Sequence, residues 1–406
     1  MKKNAKRLLG LLIVLAMMVS LVGTMALADS TAATKEPVVT YIGTSVSSGF
    51  FLKQNKEAWN PDDWAAIVAD GAKDFGKDEG GNDSYFLAYH PYDALAPGSA
   101  PRLVAEGLGM KVEDNRNDNF HKLCLTGLRT SELLRFMYGK GSAWDQKMSK
   151  DWLSEEYMNG HYSGFETNEA GVSEADYFYK KTIDWIEESD YVIVEIGAND
   201  IMTTVIDNLF NPDNGYLTNY KSALKTEETY EAMLELAAKT GDLSTVIIKA
   251  LSLAKSAGEL PLMMTAMTKA LLEGTMMFYT NYAKVIKEIY SHNPDVTVLA
   301  LGTFNPLKNV KVADGLPLDA SLLMDPNIRM MNTYIKTLAP YALSWRYDYR
   351  FVDNYNVPIY GIDSTLLRML TSPKLKDFNA TKTGPIHPDE KGHVYMANQI
   401  LKAINK

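Results

Sequence analysis

The chain has 406 residues, 46% of them hydrophobic and 22% charged, with a net charge of −9 and a single cysteine, Cys124. An acidic balance argues against nucleic acid or an anionic membrane surface as partner, since both reward basic patches. One cysteine forbids an internal disulfide, so stability has to come from a large core.

In chain order, residues 1–28 read as a cleavable signal peptide. Lys2, Lys3, Lys6 and Arg7 precede an apolar run from Leu8 to Val22, and Ala26-Leu27-Ala28 supplies a small-x-small cleavage site. The expectation is a secreted protein, with residues 29–406 forming one catalytic-sized domain and no stable membrane insertion once the signal is removed. No later stretch reaches the ~20 uninterrupted apolar residues of a membrane span.

Five short apolar runs read as buried strands: Val38–Ile42, Lys122–Leu125, Tyr191–Ile196, Val296–Leu301 and Arg350–Val352. Helical patterns at Pro101–Leu108, Ser131–Met137, Glu174–Glu188 and Gly274–Tyr290 fall between them, and Gly392–Ile404 closes the chain. This alternation predicts parallel strands joined by crossover helices, a three-layer α/β/α sandwich around a central parallel sheet. Two segments read as insertions, at about 51–97 and about 208–274. The first contains the acidic run Asp74–Asp83, which lacks the alternating ligand spacing of a calcium loop and reads as a solvated turn. Its aromatics, among them Trp59, Trp64 and Tyr92, suit stacking on sugar rings. The second ends in Met263, Met264, Met267, Met276 and Met277, a pattern that fits ordinary helical core or an apolar wall for an acyl chain.

The punctuation after three strands carries the chemistry. Gly43-Thr44-Ser45-Val46-Ser47-Ser48-Gly49 follows the first, Thr126-Gly127-Leu128-Arg129 the second, and Gly197-Ala198-Asn199-Asp200 the third. Carboxyl ends of parallel strands share one sheet edge, so residues 45, 127 and 199 are expected to converge, within reach of the late loop Gly384-Pro385-Ile386-His387-Pro388. The residue types suit acyl transfer. A serine hydroxyl needs a histidine to take its proton, and the resulting oxyanion needs fixed donors, for which a glycine N–H and an asparagine amide serve.

In these four blocks the chain resembles the GDSL/SGNH hydrolase family of serine esterases and lipases. The matching pieces are Gly43-Thr44-Ser45, Gly127, Gly197-Ala198-Asn199-Asp200 and His387-Pro388, with Pro101–Gly109 also covered and neither insertion. The resemblance implies an SGNH-hydrolase/flavodoxin-like fold, Ser45 as nucleophile and His387 as general base. It implies an oxyanion hole from the Ser45 N–H, the Gly127 N–H and the Asn199 amide. It calls for no cofactor and no metal, and its substrate is a small-molecule or polymer-attached ester; it does not fix the oligomeric state. Two departures stand out. Thr44 replaces the family's aspartate, and Gly384 replaces the acid three residues before the histidine. Asp353, Asp377 or Asp389 could substitute for that acid, or a backbone carbonyl could orient a Ser–His dyad. His393, in the first turn of the last helix, reads as a packing or capping residue. The rival class is a binding or scaffold protein that kept the fold and lost turnover.

Overall fold

The computed structural model describes residues 36–49, 52, 95–113, 115–124, 128–138, 174–201, 204, 260–306, 308, 321, 324–338, 343, 346–359 and 387–406. The predicted signal segment, most of both predicted insertions, Gly127, Asp377 and Gly384 lie outside the described residues.

The fold is α/β. Strands β1 (Val39–Gly43), β2 (Phe120–Cys124), β3 (Tyr191–Val194), β4 (Thr297–Leu301) and β5 (Tyr349–Val352) form one sheet, every neighbouring pair parallel, in the order β2-β1-β3-β4-β5. All five predicted strands are present. Strand β2 begins two residues before its predicted start because Phe120 and His121 pair with Val39 and Thr40. Strand β3 ends two residues before its predicted end, at the turn that leads to Gly197.

The period-two alternation of the strands divides the core into two layers. Ile42, Leu123, Val192, Val194, Val298 and Ala300 point to one face. There they meet α3 (Thr130–Tyr138), α4 (Glu174–Glu188), α5 (Leu260–His292) and α6 (Asp325–Thr333), the last running on into a π-helical turn, Tyr334–Leu338. Val39, Tyr41, Phe120, Cys124, Ile193 and Leu299 point to the other face, covered by α2 (Ala100–Gly107) and α7 (Glu390–Ile404). The remaining helix, α1 (Ser45–Ser48), is a single turn directly after β1.

The helix predicted to start at Gly274 instead starts at Leu260 and runs unbroken for 33 residues. Gly274 is not a stop signal here. A Cβ at that position would lie 2.7 Å from the Ile201 Cα and 2.9 Å from the Asp200 carbonyl oxygen. The glycine serves close packing of α5 against the turn after β3 rather than helix termination.

Strand order reverses between β1 and β3, so the connections from their carboxyl ends diverge and leave a crevice there. Ser45 follows β1 and Asn199 follows β3.

Candidate active site

Three serines crowd the turn after β1, and their hydroxyls have different partners. Ser48 Oγ donates to the Ser45 carbonyl at 2.9 Å. Ser47 Oγ donates to Glu195 at 2.9 Å and also contacts the Tyr41 hydroxyl at 3.1 Å. Ser45 Oγ lies 3.0 Å from His387 Nε2, a contact between residues 342 apart in sequence. Both side chains are buried, Ser45 at 7% exposure and His387 at 3%.

Local rules explain how Ser45 is presented. Thr44 is the N-cap of α1, with extended backbone and a hydroxyl that accepts the Val46 N–H at 3.2 Å. Gly49 closes the turn with φ +87°, left-handed geometry that favours glycine. Ser45 is therefore the first residue of a helical turn, where backbone N–H groups have no partner within the helix.

His387 is set by the entry to α7. Asp389 caps that helix, its Oδ1 accepting the Gly392 N–H at 2.7 Å. Pro388 bridges to Ile359, and the Asp389 N–H donates to the Pro358 carbonyl at 3.3 Å. The loop after β5 thus anchors the histidine segment. Of the three carboxylates considered as replacements for the acid absent at Gly384, Asp389 is occupied as this cap. Asp353 accepts the Tyr355 N–H within its own turn at 3.0 Å. Asp377 lies outside the described residues.

The turn after β3 reaches toward the β2–α3 loop. Asn199 Nδ2 donates to the Leu128 carbonyl at 3.1 Å, and among the described residues its second amide hydrogen has no acceptor. The next residue, Asp200, is fully buried and accepts both the backbone N–H of Thr130, at 3.1 Å, and the Thr130 hydroxyl. Burial pushes its carboxyl up to about 7 against the pull of those bonds. Beside it, Arg129 and Glu132 form a buried ion pair. Gly197 starts the turn at φ +125°, and a Cβ there would lie 2.4 Å from the Phe278 ring. Only glycine fits both constraints.

The structure thus brings Ser45 and His387 together and ties Asn199 to Leu128, the residue after Gly127; Gly127 itself is not among the described residues. Sequence reasoning missed Glu195. It closes the apolar run Tyr-Val-Ile-Val at the end of β3, and its carboxylate accepts the Thr44 N–H, the Thr44 hydroxyl and the Ser47 hydroxyl, each at 2.9 Å. An acid inside an apolar run was the available signal, because a charge drawn in among apolar residues requires partners.

Among the described residues, no group of three His, Cys, Asp or Glu side chains could hold a metal ion, and no helix is long and apolar enough to cross a membrane. No protein-family model matches the chain, and no curated protein matches it.

Proposed function

We propose that the chain is an exported serine hydrolase of carboxylic esters, of the GDSL/SGNH type, with Ser45 as nucleophile and His387 as general base. The observation that carries this reading is the 3.0 Å approach of His387 Nε2 to Ser45 Oγ at the carboxyl edge of the sheet. That distance lies within the reach required of a nucleophile and its base.

In the proposed cycle, Ser45 Oγ attacks the ester carbonyl carbon as its proton passes to His387 Nε2. The Ser45 N–H, the free amide hydrogen of Asn199 and the Gly127 N–H hold the tetrahedral oxyanion. Each such donor contributes about 3–4 kcal/mol to the transition state. Collapse expels the alcohol, which takes the proton back from His387. Water, activated by the same imidazole, then attacks the acyl-serine, releases the acid and restores Ser45.

The reading is tested by treating the protein with a fluorophosphonate probe and mapping the modified peptide. Labelling at Ser45, with loss of both labelling and ester hydrolysis in a folded Ser45→Ala variant, is the expected result. Retention of near wild-type kcat in that variant would remove Ser45 from the mechanism. A chain-length series of p-nitrophenyl esters, run beside acetylated xylan and peptidoglycan, then separates a lipase-like esterase from a carbohydrate O-deacylase.

A further inference from the structure

We infer that Glu195 is a positioning residue for the nucleophile: its carboxylate clasps Thr44 and Ser47, the residues bracketing the Ser45 turn, and holds Ser45 in register with His387. The inference rests on the proposed role of Ser45.

The geometry is dense. Glu195 Oε2 accepts the Thr44 N–H, the Thr44 hydroxyl and the Ser47 hydroxyl at 2.9 Å each, and Oε1 is 3.2 Å from the Thr44 hydroxyl. The Glu195 N–H donates to the Ile42 carbonyl at 2.8 Å, so main chain and side chain both join β3 to the turn after β1. Three donors converging on one carboxylate favour the anion. A protonated carboxyl commits one oxygen to its own hydrogen and turns a donor toward other donors. Loosening the turn displaces Ser45, and a misplacement of about 1 Å at a reacting group costs about 10²-fold in rate.

Several titratable groups face this carboxyl. Tyr41 approaches from β1, Cys124 from β2 with Lys122 beside it, and His387 lies across Ser45. Burial pushes the Tyr41 phenol and the Cys124 thiol up, away from neutrality. Burial also pushes the Glu195 carboxyl up to about 7, against the hydrogen bonds from Thr44 and Ser47. Two groups, Glu195 and the His387 imidazole, must therefore both be deprotonated for Ser45 to react. A residue that merely braced the fold would leave no such mark on the reaction.

The experiment follows the second-order rate of fluorophosphonate labelling at Ser45 from pH 5 to 9, with the site confirmed by mass spectrometry, in wild type, Glu195→Gln and Ser47→Ala. In wild type the rate should fall on the acid side through the range near pH 7 where the Glu195 carboxyl takes up its proton. Glu195→Gln should label Ser45 about 10–100-fold more slowly at pH 8, with an acid limb shallower than that of wild type. Ser47→Ala removes one donor to the anion. It should move the acid limb up by about half a pH unit. This arm still decides the matter if the glutamine variant does not fold. A Glu195→Gln profile equal to wild type, or a Ser47→Ala profile that superposes on wild type, overturns the role of Glu195. Wild-type protein that never labels at Ser45 overturns the nucleophile assignment, and this inference with it; labelled protein with unaltered variants overturns Glu195 alone.

Discussion

Asn199 has two hydrogen-bonding tasks in one amide. One hydrogen is held by the Leu128 carbonyl at 3.1 Å, and the other is offered to the proposed oxyanion. The bond to Leu128 fixes the amide in advance, which is what makes such a donor effective when charge develops. Asn199→Ala should lower kcat by about 10²–10³ with a much smaller change in KM, because the oxyanion exists only in the transition state. Steady-state kinetics on a p-nitrophenyl ester separate the two parameters. An effect confined to KM would make Asn199 a substrate-binding group instead.

Among the elements, α2 and α7 show how a helix end can depend on pH. Ala100 opens α2, where first-turn N–H groups lack helical acceptors, and its N–H donates to His393 Nδ1 at 3.1 Å. His393 is fully buried in the first turn of α7, so the two helices that cover one sheet face meet at a neutral imidazole. Burial, and secondarily the charge of His387, push its pKa down from the ordinary 6.5 to about 3. The sign follows from proton counting. Between those values the unfolded chain binds a proton that the folded chain refuses, so this contribution to stability falls as pH drops below about 6.5. At pH 5 the loss is about 2 kcal/mol relative to neutral pH. His393→Asn keeps an acceptor for the Ala100 N–H and removes the titration. Urea unfolding at pH 5 and 7.5 should show wild type losing that amount more than the variant; parallel losses would contradict the assignment.

At the scale of the whole molecule, the described residues form two core layers, one on each face of the sheet. Ile400 is fully buried between α7 and the sheet, in the layer that also contains Tyr41 and Cys124 beneath the Ser45 turn. Ile400→Ala should destabilise the fold by about 2–5 kcal/mol, through lost transfer energy plus the cavity left behind. Ile400 lies more than two helical turns from His387, so kcat at a temperature where the variant remains folded should stay near wild type. Denaturant titration and kinetics on the same preparation test both halves.

The strands were legible in the sequence because burial on both faces of a parallel sheet demands continuous apolar runs, and Tyr191–Val194 or Thr297–Leu301 can do little else. The glycine and polar punctuation at residues 43–49 and 197–200 was equally readable, since a reversal at a strand end needs those residue types. Strand ends and the start of α5 were less so. Gly274 looks like a helix boundary until the backbone of Ile201 and Asp200 is seen packed against it. The block Gly43-Thr44-Ser45 singled out Ser45 by resemblance, but only the tertiary structure shows Ser45 facing His387 while Ser47 and Ser48 turn to other partners. Tertiary structure also decided the place of Glu195. An acid among apolar residues signals a need for partners but does not name them, and the three donors to Glu195 come from residues about 150 positions earlier, brought alongside by the β1–β3 pairing. Hydrophobic periodicity is a local property that one strand carries by itself; hydrogen-bond partnership across a sheet edge exists only after the strands have been ordered.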